Sequence, residues 1–420
     1  MKIKTKDIPY SEVLKIKKPK HIKPKKPNIV LTSLIRILSI PALLSTHFKY
    51  TKSNMEKAGK GPYLILMNHS CFLDLKIASK IFYPMPYQIV CTDDALIGKG
   101  WLMRYIGGIP TQKYVSDVSL IIDMLHAIRK NKTSVLMFPE AGYSFDGRTT
   151  VLPRKLGTLI KKLDVPVLTV ITDGAYLHDP LYNCLQQRKV KVRAHLDCLL
   201  SREEIAKKSV EEIDKMIDDA FSFDNFKNQA ENGIKITENF RADGLHRILY
   251  KCPHCQTEGK MLGSGTALTC SACNKEWFMD ELGRLSAKDG ETSFSHIPDW
   301  YDWQRECVKN ELLNGKYAYD APVDIAILTD YKALYKVGSG HLHHDKDGFK
   351  LTGCDGSLSY EQGPTVSHSL NADFYWYEMG DVISIGDKRR LYYCFHEGKS
   401  LVAKARIATE ELYKLKHEKQ

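Results

Sequence analysis

Between residues 61 and 221, short apolar runs alternate with segments of helical period, and that alternation limits the fold more than any other feature of this 420-residue chain. Residues 63–67, 88–91, 134–138 and 166–171 are short, apolar and bounded by turn residues, as strands buried on both faces are. Between them, residues 119–129 place Leu120, Ile121, Met124, Leu125 and Ile128 on one face of a helix. Ser209 followed by Glu212 forms a capping box ahead of a second stripe, Val210, Ile213, Ile217 and Phe221. The pattern predicts an α/β fold with a central, mostly parallel sheet flanked by helices. Chemistry in such sheets gathers at the carboxyl ends of strands. His69 and Glu140 each lie just past an apolar run, so one site is able to hold both.

The first run leads into Asn68-His69-Ser70-Cys71-Phe72-Leu73-Asp74. A carboxylate at Asp74, brought back by the turn, would bind one ring nitrogen of His69 and leave the other free to take a proton. The third run leads into Phe138-Pro139-Glu140-Ala141-Gly142-Tyr143-Ser144-Phe145-Asp146-Gly147. Between the two stand Gly107-Gly108-Ile109-Pro110-Thr111-Gln112-Lys113, and Val165-Pro166-Val167 follows.

These four landmarks, in this order, resemble those of the glycerolipid acyltransferases, which share N-H-x-x-x-x-D, G-x-x-F-I-x-R, F-P-E-G-T-R-S-x-x-G and V-P-V elements. The resemblance covers roughly residues 28–220. It implies an O-acyltransferase that moves a fatty acyl group from acyl-CoA or acyl carrier protein to a lysophospholipid or related glycerolipid hydroxyl. It further implies His69 and Asp74 as a catalytic base pair, with direct transfer rather than an acyl-enzyme on Cys71. Glu140 and Gly142 would help hold the acceptor, with Lys113, Arg148 and Lys155 supplying positive charge and Arg154 beside them. Three positions depart from the pattern. Ala141 replaces a glycine, Tyr143 an arginine, and Lys113 a further arginine, which weakens the bidentate grip on an acceptor phosphate.

Four of the eleven cysteines form Cys252-x-x-Cys255 and Cys270-x-x-Cys273 with fourteen residues between the pairs. Two such knuckles present four thiolates to one tetrahedral ion, so residues 246–286 read as a zinc ribbon with a structural Zn. The other seven cysteines are scattered singly, a reducing-compartment pattern. His341, His343 and His344 are adjacent in a strand-turn region without distant partner ligands, and read as an exposed hairpin.

Residues 1–27 carry ten lysines against Asp7 and Glu12, so most of the net charge of +11 sits in this arm. Punctuated by four prolines, the arm is expected to be disordered and to be drawn to anionic lipid. Residues 28–50 read as an amphipathic, membrane-associating helix bent at Pro41. Residues 51–245 would then form the acyltransferase domain, and residues 287–420 a β-rich domain with a terminal helix over 401–417. The alternative is a zinc-ribbon nucleic-acid- or protein-binding module without catalysis, but positive charge is concentrated in the arm and not around the ribbon, so no nucleic-acid partner is expected. The expected location is cytoplasmic, peripheral on the inner face of the cell membrane.

Overall fold

A computed structural model of the chain describes residues 3–115, 118–154, 156–396 and 401–417. Lys155 lies outside the described residues. The first eight strands are β1 (Thr5–Asp7), β2 (Lys49–Ser53), β3 (Leu64–Met67), β4 (Tyr87–Thr92), β5 (Gly108–Thr111), β6 (Ser134–Met137), β7 (Val167–Asp173) and β8 (Arg193–Leu200). Next come β9 (Met261–Ser264), β10 (Ala267–Cys270), β11 (Glu276–Met279) and β12 (Leu285–Ala287). The last are β13 (Tyr319–Leu328), β14 (Leu334–Asp345), β15 (Gly348–Gly353), β16 (Leu358–Gln362), β17 (Asn371–Trp376), β18 (Gly380–Gly386) and β19 (Leu391–His396).

The first sheet runs β2-β8-β7-β3-β6-β4-β5. Five neighbouring strands from β7 to β5 are parallel, and β8 and β2 run the other way. β3 is buried along its whole length because it faces helices on both sides. Ile65 and Met67 join a core with Ile77 and Phe82, while Leu64 and Leu66 join another with Met124, Ile160 and Ile213. The strand alternation of period two produces that division. Because β3 and β6 are hydrogen-bonded neighbours, the loops that follow them leave the same edge of the sheet side by side.

The strands β9–β12 form an antiparallel four-stranded sheet in chain order. The segment before it contains the helix Asn225–Glu231 and buries Phe226, Ile236, Leu245 and Ile248. The apolar residues there are too widely spaced to show a period, and they are buried by tertiary packing.

The C-terminal region is one antiparallel sheet, ordered β16-β15-β14-β13-β19-β18-β17, with β1 added in parallel to β14. The helices Ile297–Leu313 and Val402–His417 pack on one another, and the latter contacts β17 and β18.

The arm differs from expectation. Residues 3–27 carry strand β1, and Val13 is fully buried, with Ile8, Tyr10 and Ile16 packed on the C-terminal core. The chain then crosses to the first domain. His21 Nε2 meets Asp123 Oδ2 at 2.9 Å, and the carbonyls of Pro24 and Lys25 accept from Asn131 (3.0 Å) and Gln88 (3.1 Å). Apolar residues spaced among the lysines supply this anchorage, while Lys15, Lys17, Lys20, Lys23 and Lys26 remain exposed. The span expected as one bent helix is two, Ile29–Leu38 and Ile40–Ser45, and its end enters β2. Asn28 caps the first by accepting from Val30 N and Leu31 N (2.9 and 3.2 Å). Among the described residues no helix is long and apolar enough to cross a membrane.

Candidate active site

Asn68 ends β3 and pins the loop after it to β7. Its Oδ1 accepts from Thr172 N (2.8 Å) and Thr172 Oγ1 (3.1 Å), while its amide donates to Thr172 O (3.3 Å). The next residue, His69, therefore starts from a fixed backbone. Asp74 lies in the first turn of the helix Leu73–Phe82 and is fully buried. Its Oδ2 accepts from Ser70 N (2.7 Å) and Cys71 N (3.1 Å) and faces His69 Nδ1 at 3.0 Å. Two backbone donors hold the carboxylate, and the carboxylate holds the imidazole, so Nδ1 is the protonated nitrogen and Nε2 is left to accept. Oδ1 of Asp74 is buried without a hydrogen bond among the described residues, so negative charge is concentrated beside the ring.

The imidazole lies between two aromatic rings. Phe138 stacks on one face at 3.9 Å and 18°, and Tyr143 covers the other at 4.0 Å and 33°. The His69 side chain keeps 16 % of its exposure. Burial lowers its pKa, opposed by the hydrogen bond and charge of Asp74 and reinforced by the nearby Lys113 ammonium. The ring is thus a neutral base near pH 7.

Glu140, expected to hold the acceptor, has both carboxylate oxygens engaged by backbone N–H groups. It is fully buried, with Oε2 accepting from His69 N (2.8 Å) and Oε1 from Thr150 N (3.0 Å). Its function in the fold is to fasten the two motif loops to each other. Burial raises its pKa to about 7 against the opposing pull of those two N–H groups. The loop turns at Ala141, whose φ of +53° is the left-handed conformation that a glycine would take more cheaply. Gly142 leaves room for Tyr114, whose hydroxyl would stand 3.3 Å from an added Cβ and donates to Glu140 O (3.3 Å).

Of the cations expected to meet an acceptor, Lys113 is half-buried near His69 and makes no ion pair among the described residues. Arg148 is not available. Its guanidinium is clamped by Asp146 (2.6 and 2.8 Å) and by both oxygens of Asp302 (2.7 Å each) on the helix Ile297–Leu313. Arg154 is exposed, and Lys155 lies outside the described residues. Cys71 is buried with its Sγ donating to Ala175 O (3.3 Å), and burial pushes its thiol far up, so it is no nucleophile.

The C-terminal region completes the site, and nothing local in the sequence signals it. Arg406 of the terminal helix is buried, donates to Tyr143 O (3.1 Å) and lies 4.2 Å from the Phe145 ring centroid. Phe374 of β17 meets Phe145 at 4.5 Å. Behind the loop lies a cleft of about 520 Å³ bounded by Arg148, Tyr301, Arg305, Arg406, Glu410 and Lys414.

In the ribbon, Cys252 Sγ and Cys273 Sγ are 3.8 Å apart, and Cys255 Sγ and Cys270 Sγ 3.7 Å. All four ligand atoms lie within 4.8 Å of one another. A tetrahedral ion with Zn–S bonds of about 2.3 Å demands S···S separations of roughly 3.8 Å, which these two pairs meet. Gln256 and Asn274, each just past a second knuckle position or its equivalent, take left-handed φ values of +62° and +58° and donate to the carbonyls of Cys252 and Cys270. The histidines 341 and 343 pair with Asp320 at 2.9 and 3.1 Å on the exposed face of β13 and β14.

Residues 47–173 match the Acyltransferase family model. The 1-acyl-sn-glycerol-3-phosphate acyltransferase of Saccharomyces cerevisiae is 27 % identical over 149 residues, 33 % of this chain and 48 % of the yeast protein. The chain thus spans about half the length of this curated relative. A solved structure, the 1-acyl-sn-glycerophosphate (LPA) acyltransferase PlsC of Thermotoga maritima, aligns with a TM-score of 0.36 and 19 % identity over 45 % of this chain and 76 % of that one. Together the matched domain and the yeast relative support an acyltransferase.

Proposed function

We propose that this protein is a peripheral O-acyltransferase that transfers a fatty acyl group from a thioester, acyl-CoA or acyl carrier protein, to a lysolipid hydroxyl. The observation that carries the reading is the His69–Asp74 pair, held by backbone donors and sandwiched between rings inside the segment that matches the family. His69 Nε2 takes the proton of the acceptor hydroxyl as its oxygen attacks the thioester carbonyl. The C–S bond then breaks, the ester remains, and the thiolate leaves with the proton returned by the imidazolium. Asp74 stabilises that imidazolium without accepting its proton. General-base assistance of this kind contributes roughly 10²–10⁴ in rate.

The exposed apolar residues Ile29, Val30, Leu34, Ile37, Leu38 and Leu44 on the two N-terminal helices, with the lysines of the arm beside them, suit a lipid surface. A cytoplasmic location on the inner membrane face is consistent with eleven free cysteines. The four-cysteine group fits a structural zinc, since four protein ligands leave no open position for chemistry.

The test is transfer of a labelled acyl group from acyl-CoA and from acyl carrier protein to a panel of lysolipids in detergent or vesicles. Acceptor-dependent formation of a diacyl product is expected. Absence of product with every donor and acceptor overturns the proposal.

A further inference from the structure

Resting on the acyltransferase reading, we infer that Tyr143 is a positioning residue of the transfer step. Its ring holds the His69 imidazole from the side opposite Phe138 and stabilises the imidazolium that forms when Nε2 takes the acceptor's proton. Three observations lead there. The first is ring geometry. The Tyr143 and His69 centroids are 4.0 Å apart at 33°, and Phe138 lies 3.9 Å from the same imidazole at 18°. A cation over the face of an aromatic ring, within about 6 Å of its centroid, is attracted by the ring's quadrupole. The imidazolium meets that condition on both faces. A neutral imidazole gains less, so the contact favours the charged form that the transfer step creates.

The second observation is how the motif loop is fastened around His69. Before residue 143, Glu140 Oε2 accepts from His69 N (2.8 Å), and after it Ser144 N donates to His69 O (3.2 Å). Arg406 of the terminal helix donates to Tyr143 O itself (3.1 Å). The backbone that carries the ring is thus tied to the histidine on both sides, and the ring's place over the imidazole does not rest on side-chain packing alone. Tyr143 stands where the resemblance expects an arginine. A guanidinium over the imidazole would oppose its protonation, and the tyrosine brings a ring face instead.

The third is the balance of forces on the imidazole. Burial and the Lys113 ammonium oppose the imidazolium, while Asp74, 3.0 Å from Nδ1, favours it. The side chain is largely covered, so water gives the new charge little help. Attraction between a cation and a ring face is stronger where solvent is excluded, and the two rings supply it there.

The experiment measures kcat and acceptor KM for wild type, Tyr143→Phe and Tyr143→Leu, and follows the His69 imidazole by NMR titration without substrate. Asp74, Lys113 and Glu140 are kept in every variant. Tyr143→Phe keeps the ring, so kcat should stay within about twofold and the titration should not move. Tyr143→Leu keeps the position apolar without a ring face. It should lower kcat about three- to tenfold at nearly unchanged KM, and move the His69 titration about half to one pH unit lower. Tyr143→Met gives the same comparison if the leucine variant does not fold, as melting temperatures show. An unmoved or upward titration without the ring overturns the inference, since that is the result of merely uncovering the imidazole. A loss confined to KM, or Tyr143→Phe as impaired as Tyr143→Leu, also overturns it. No transfer by the wild type to any acceptor overturns the acyltransferase reading and this one with it.

Discussion

Arg406→Met removes the guanidinium that ties the terminal helix to the loop over His69 while nearly conserving volume. Two polar interactions are lost, along with the cation–π contact with Phe145 (4.2 Å). The charged hydrogen bond to Tyr143 O (3.1 Å) is worth about 1.5–3 kcal/mol. The ion pair with Glu410 (3.2 Å) is buried on both sides, each side chain 3 % exposed. Stripping one partner from such a pair costs about 3–5 kcal/mol when the survivor is left alone. Glu410 is not left alone, because Arg305 (2.8 Å) and Ser369 (2.7 Å) still reach it, so the second loss falls below that range. A total of about 3 kcal/mol is expected from denaturant unfolding at pH 7. The acid limb should change as well. Burial alone would raise the Glu410 pKa, yet Arg305 and Arg406 pull it down to about 2. A depressed folded pKa gives stability that is present above the unfolded value near 4.5 and lost as pH falls toward 2. Without Arg406 the folded pKa rises, so acid unfolding begins at higher pH. A cost under about 0.5 kcal/mol together with an unmoved acid transition would refute the assignment of Arg406 as a buried tie.

Ala141→Gly should stabilise the protein by about 0.5–1 kcal/mol in thermal or denaturant unfolding, because Ala141 sits at φ +53°; destabilisation would contradict the left-handed turn. Metal analysis of protein purified under reducing conditions without chelator should find about one zinc per chain, and a strong chelator should lower the melting temperature. The loss would spread to the terminal helix, because Glu258 in the ribbon pairs with Lys404 at 2.7 Å. The pH profile of kcat/KM should show an acid limb below the ordinary histidine value near 6.5, since burial lowers the His69 pKa and only the neutral ring is a base. Lys113→Gln removes a cation that lowers it further, so the limb should move to higher pH; a downward move would show that Lys113 does not face the ring.

The strands around His69 and Glu140 were legible because buried parallel strands read as continuous apolar runs, and adjacent strands deliver their following loops to one edge. The contact between His69 and Asp74 was legible for a related reason, since five residues of spacing let Asp74 sit in the first helical turn and fold back on His69. The misreadings share a cause too. Glu140 was expected to help hold the acceptor because a motif shows residue type and not direction, whereas its two oxygens accept from backbone N–H groups. Arg148 looked free because Asp302 is distant in sequence. Arg406 reaches the site through a contact across more than two hundred residues, and no local period or spacing carries such a contact. The arm was misjudged on net charge, since Val13 and its apolar neighbours are few but sufficient to seat β1 beside β14.

The most direct test of the central claim compares wild type with His69→Gln for acceptor-dependent acyl transfer at saturating thioester, with melting temperatures alongside. The account predicts a loss of at least roughly 10²-fold in kcat with the fold retained, because the glutamine keeps polarity and approximate size but cannot take a proton near neutral pH. Transfer by His69→Gln at the wild-type rate would show that the proton goes elsewhere, and the dyad would lose its place at the centre of the mechanism.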